Sequence, residues 1–143
     1  MKVTELMHTP PVTCESTASL REVARLMRDR NVGSVLVVDQ IGYLAGIVTD
    51  RDIAVRGMAE GRTADSTVEH VMARDVATID LHADVSDAAS VMAKRTVRRL
   101  PVVDQDDRPH GVLTFDDLVR HLSVENDALA DLVILQTTHL TSS

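Results

Sequence analysis

Shifting the chain by 65 residues lays it on itself without a gap. VTELM (3–7) falls on VEHVM (68–72), SLREVARLMRDRNV (19–32) on DVSDAASVMAKRTV (84–97), SVLVVDQ (34–40) on RLPVVDQ (99–105), and GIVTDRDI (46–53) on GVLTFDDL (111–118). From Val3 to Val55, about fifteen of 53 positions are identical to their counterparts, where unrelated sequences would share only a few. Self-similarity at a fixed offset means two copies of one supersecondary unit. A single copy of about 60 residues buries too little apolar surface to be comfortable alone, so the two are expected to share a fold.

Each copy reads in the same order. A short helix or turn carries ELM or HVM, and a brief extended piece, VTC or VATI, follows. Leu20, Val23, Ala24 and Met27 then recur at i, i+3, i+4 and i+7, the spacing of one buried helix face; Val85, Ala88, Ala89 and Met92 repeat it. A β-branched run comes next, Val35–Val38 or Val102–Val103, ending at an Asp that suits a turn. A second strand runs through Gly46–Thr49 or Gly111–Thr114, and a helix closes the unit. Gly46 and Gly111 inside strands predict a bulge or close packing. The order is β-α-β-β-α, an α/β chain. The expected organisation is a first repeat with its linker over 1–65, a second over 66–122, and a tail over 123–143. Residues 56–67, rich in small and polar types, form the connection. In the tail Leu129, Leu132, Val133 and Leu135 suit an amphipathic helix that packs on its own domain or helps to make a dimer.

Composition narrows the function. No apolar run approaches the ~18 residues needed to span a bilayer, and the N-terminus lacks the apolar core of a signal peptide. A cytoplasmic protein without a membrane partner is the expectation. Net charge is −7, with 8 basic and 9 acidic side chains in residues 1–65 and 7 and 13 in the rest. There is no basic footprint for duplex nucleic acid, and one Phe, one Tyr and no Trp leave little to stack on single strands. Nucleic acid is not an expected partner. Cys14 is the only cysteine, so it reads as a buried thiol, and a cysteine-based zinc cage is excluded. The six histidines form no i, i+4 pair, so no metal is expected. No phosphate loop of the GxxxxGK[ST] kind and no nucleophile elbow is present, and the chain does not read as an enzyme.

A tandem β-α-β-β-α repeat with an LPVVD-like strand and a G-h-h-T-x-x-D strand (h apolar) resembles the CBS domain family. Two such units make the pair called a Bateman module, and the resemblance covers residues 3 to 122. The DRDI version and the short stand-alone length resemble small bacterial two-CBS proteins, some associated with stress or dormancy. The resemblance implies two repeats packed about a pseudo-twofold axis with clefts between them. It implies a regulatory or sensor module that binds AMP, ADP, ATP, NAD or S-adenosylmethionine there, with no required cofactor. It also implies a homodimer, and an unidentified protein target that reads the signal. A family alternative is a ligand-free interaction or dimerisation module.

Thr49 and Asp52 carry two readings. They form a capping box, with Thr at N-cap and an acid at N3, although Asp is shorter than the usual Glu. A helix start also favours phosphate, and a carboxylate there accepts the hydroxyls of a ribose diol. Thr114 and Asp117 take the same readings in the second copy, with Asp116 adding repulsion toward phosphate. In the family the Asp takes the ribose and the Thr lies near the phosphate. Arg98 and Arg99 replace Gly33 and Ser34 of the first copy. They read either as solvated arginines paired with nearby Asp or, as the resemblance implies, as phosphate contacts. In the second reading they face the cleft used by Thr49 and Asp52.

Overall fold

The computed structural model of the chain describes residues 1–121; the expected tail lies outside them. The chain divides into two compact units. The first holds Pro11–Val76, and the second joins Met1–Pro10 to the described residues from Ala77 on.

In the first unit β1 (Thr13–Glu15) leads to α1 (Leu20–Arg30), β2 (Ser34–Val38) and β3 (Leu44–Thr49). The sheet order is β1-β2-β3, with β1 parallel and β3 antiparallel to β2. The closing helix starts as α2 (Asp50–Asp52) and widens into a π-helical stretch, Ile53–Met58, in which the Ala59 amide reaches back to the Ala54 carbonyl. The second unit repeats the plan with β4 (Ile79–Asp80), α3 (Val85–Arg95), β5 (Arg99–Val103), β6 (Pro109–Thr114) and α4 (Phe115–His121), the last an ordinary α-helix. The expected β-α-β-β-α order is therefore present twice.

The helices form where apolar stripe and caps agree. The Ser19 side chain accepts the Glu22 amide at the start of α1, and the Asp84 amide donates to Asp87 at the start of α3. Both end in the left-handed conformation, at Asn31 and Thr96, after basic last turns (Arg28 and Arg30; Lys94 and Arg95) that suit the negative end of a helix dipole. Leu20, Val23 and Met27 are buried, as are Val85, Ala88, Ala89 and Met92. Ala24 departs from expectation and is exposed. The buried stripe of α1 is narrower than its sequence spacing implied, with Leu26 packing at its margin. The Asp that ends each β-run makes the expected turn. Asp39 Oδ1 accepts from the amides of Ile41, Gly42 and Tyr43, and Asp104 Oδ1 from those of Asp106 and Arg108. His110 bonds the other Asp104 oxygen at 2.8 Å, and this bond, ahead of the backbone amides, holds the carboxyl below its ordinary range.

The sequence copies and the compact units do not share boundaries. The leading segment of each copy is built into the other copy's unit. Val3 is fully buried in a cluster with Val85, Ala88, Met92 and Leu113. Val68, Val71 and Met72 pack with Leu20, Val23 and Val48. Backbone bonds fix these segments: the Val3 amide donates to Ala83, and the Val68 amide to Ala18. Among the described residues no helix is long and apolar enough to cross a membrane.

Candidate functional site

Each unit brings its Thr-x-x-Asp motif to the corner where an antiparallel strand hands over to the closing helix. The strand before the corner fixes it. The Asp50 amide donates to the Gly33 carbonyl at 3.0 Å, and the Phe115 amide to the Arg98 carbonyl at 2.8 Å. Register puts Ser34 opposite Thr49 and Arg99 opposite Thr114.

At the first corner Thr49 Oγ1 accepts the Asp52 amide at 3.1 Å, and Asp52 Oδ2 accepts the Thr49 amide at 2.9 Å. The capping box closes despite the short Asp side chain. The box uses one carboxylate oxygen. Oδ1 of Asp52 makes no hydrogen bond among the described residues, on a half-buried residue. A carboxylate with one oxygen committed and one open, beside a helix start, can accept a pair of hydroxyl donors. Asp50 and Arg51 are exposed on the same turn.

The second corner has the same box with more added. Asp117 Oδ2 accepts the Thr114 amide at 3.1 Å and the Thr114 hydroxyl at 2.6 Å, and Thr114 Oγ1 accepts the Asp117 amide at 3.2 Å. His8 Nε2 then lies 3.0 Å from both carboxylate oxygens. Burial works to raise the Asp117 pKa, but the bonds from Thr114 and His8 outweigh it, and the carboxyl sits below its ordinary value.

Arg98 is half-buried. Its guanidinium lies over the Phe115 ring, 4.1 Å from the centroid, and 3.9 Å from Asp116 Oδ1. Arg99, at the first position of β5, is also half-buried. The second unit thus gathers Arg98, Arg99, Thr114 and Asp117 at one corner, and the first unit places Thr49 and Asp52 at the equivalent one. Two participants were missed in the sequence. Phe115 stands where the first copy has Asp50, and His8 where the second has Ala73. Both are departures from the repeat, which was the available signal. Among the described residues no cluster of three or more His, Cys, Asp or Glu is placed to hold a metal ion.

The CBS domain family model matches residues 3–57 and 68–124, so the chain belongs to the CBS domain family and carries two copies of the domain. It is 38% identical over 125 residues to the CBS domain-containing protein YhcV of Bacillus subtilis, covering 87% of this chain and 88% of that one. The fold is similar to the CBS domain pair of protein MJ0100 in complex with 5'-methylthioadenosine and S-adenosyl-L-methionine. There the TM-score is 0.76 and the identity 32%, over 84% of this chain and 94% of that one. It is also similar to the CBS domain protein PAE2072 of Pyrobaculum aerophilum complexed with AMP, with a TM-score of 0.77 and 27% identity over 93% and 98%.

Proposed function

We propose that this protein is a regulatory module that binds an adenosine-containing ligand (AMP, ADP, ATP, NAD or S-adenosylmethionine), with Thr49 and Asp52 as its principal corner. The open Oδ1 of Asp52, at a carboxylate whose other oxygen is spent on the helix cap, carries this reading. Asp52 takes the ribose hydroxyls, and Thr49 and the helix start lie toward the phosphate. Thr114 and Asp117 are the counterpart. Arg98 and Arg99 supply guanidinium groups for a phosphate, and a ligand phosphate would compete with Asp116 for Arg98. The bound states of two similar CBS pairs support the class. One holds AMP and the other sulfur-containing adenosine compounds, and adenosine with its diol is what these share. The ligand acts as a signal by favouring the conformation that binds it. Val55 and Met58 stand exposed on the closing helix of the first unit, and a homodimer would cover such apolar side chains.

Thermal unfolding against the five ligands, with Asp52→Asn alongside, tests this. The substitution keeps an acceptor oxygen for the Thr49 amide, so the cap survives while the charge is lost. A ligand at 100 times its Kd adds about 2.7 kcal/mol to the wild type, and the variant is expected to lose that gain. A chain that gains no stability from any of the five is a ligand-free docking module instead.

A further inference from the structure

The two corners match in sequence and differ in what stands over their carboxylates. In the second unit the His8 backbone is clamped to β6. Its amide donates to the Val112 carbonyl at 2.9 Å, and its carbonyl accepts the Val112 amide at 3.0 Å. Thr9 Oγ1 donates to the His110 carbonyl one step along, at 2.9 Å. Backbone pairing therefore aims the imidazole at Asp117. The Asp117 side chain retains only 13% of its exposure, while that of His8 retains 68%. The ring covers the carboxylate with its own outer face in solvent, and it can turn away without opening the core. In the first unit Ala73 makes the same backbone exchange with Ile47, at 2.9 and 3.0 Å, and offers only a methyl group.

We infer that His8 is an intramolecular occupant of the second corner, so that the chain has one open diol site, at Asp52, and one closed by its own imidazole, at Asp117. This rests on the nucleotide reading above and adds the residue that makes the two sites unequal. A ribose diol binds a carboxylate by donating both hydroxyls. At Asp117 one oxygen already accepts from Thr114 and both lie within reach of His8 Nε2. An adenosine ligand must displace the ring before its diol can bind, and its apparent affinity is the intrinsic one multiplied by the fraction of time the ring is away. Asp116, exposed just before Asp117 on α4, has Arg98 3.9 Å away, so the imidazole rather than the local charge sets this corner apart. At Asp52 no ring stands over the carboxylate, because Ala73 has no donor, and the exposed neighbours Asp50 and Arg51 carry opposite charges.

Isothermal titration of the full chain with AMP tests the inference on wild type, His8→Ala, His8→Gln, Asp52→Asn and the Asp52→Asn, His8→Ala double variant. Wild type is expected to bind one AMP per chain in the tighter class, and Asp52→Asn to lose it. His8→Ala is expected to bind two, the second at least tenfold tighter than any second event in wild type. The double variant is expected to keep that second site. His8→Gln retains an amide donor and should behave as wild type. If His8→Ala titrates like wild type while Asp52→Asn abolishes binding, the nucleotide reading stands and the role of His8 is overturned. Absence of AMP binding to all five proteins overturns both for AMP. Circular dichroism checks that each variant is folded; His8 contributes an exposed ring and keeps its backbone bonds when the ring is removed.

Discussion

Ile47 and Ala73 exchange both backbone hydrogen bonds, at 3.0 Å and 2.9 Å, and Val112 and His8 repeat the exchange in the other unit. These bridges lash the leading segment of each sequence copy to the sheet of the other copy's unit. They also explain the glycines beside them. A methyl group on Gly46 would lie 2.7 Å from the Ala73 carbonyl oxygen, and one on Gly111 the same distance from that of His8. The sulfur of Met72 or Met7 closes the other side of each.

Gly46→Ala and Gly111→Ala should each destabilise their unit by about 1–3 kcal/mol, the usual range for forcing an extra carbon into a packed site. The obstruction is backbone, which cannot swing aside as the end of a side chain can. Urea unfolding should show a lower midpoint for both. An unchanged midpoint would mean that the bridges yield freely.

The helix ends make an opposite prediction. Thr96 ends α3 at φ 53° and ψ 50°, where a β-branched side chain crowds the backbone, and Asn31 ends α1 at the same angles. Thr96 is exposed, so exchanging it disturbs no packing. Thr96→Asn or Thr96→Gly should stabilise the second unit by about 0.5–1 kcal/mol, and Asn31→Thr should cost the first unit a similar amount. Paired thermal melts check the sign, which must reverse between the two sites.

Cys14 lies half-buried on β1, and burial first, then the charge of Glu22, pushes its thiol up to about 11. The thiolate is the reactive form, so iodoacetamide should modify native protein at pH 7.4 far more slowly than urea-unfolded protein, whose thiol titrates at about 8.5. The sign for stability follows from the folded value being the higher. The contribution of the protonated thiol is full below about 8.5 and is lost as pH rises toward 11. Cys14→Ser should abolish that part of the alkaline loss, read as unfolding free energy between pH 8 and pH 11. Equal alkylation rates for native and unfolded protein would contradict the burial.

The order of elements was legible because its signals are local. Stripes of Val and Met at helical spacing, β-branched runs ending in Asp, and a Thr with an acid three residues on all report the conformation of their own neighbourhood. Repetition at a fixed offset then confirmed each signal with a second copy. Even there Ala24 shows the limit: spacing marks the side of α1 on which a residue stands, but how far the packing extends around that side depends on what covers it.

What the sequence determined by itself was the doubled β-α-β-β-α unit and the two Thr-x-x-Asp corners, because hydrophobic period and capping chemistry act over a few residues. Tertiary structure alone decided that Val3 belongs to the core of the second unit, that Arg98 stacks on Phe115, and that His8 meets Asp117 across 109 residues. The placement of Arg98 on Phe115 follows from the bond between the Phe115 amide and the Arg98 carbonyl, and those of Val3 and His8 from which sheet edge receives each leading segment. That choice is made by backbone bridges and buried surface between distant stretches, and it leaves no periodic trace in either stretch.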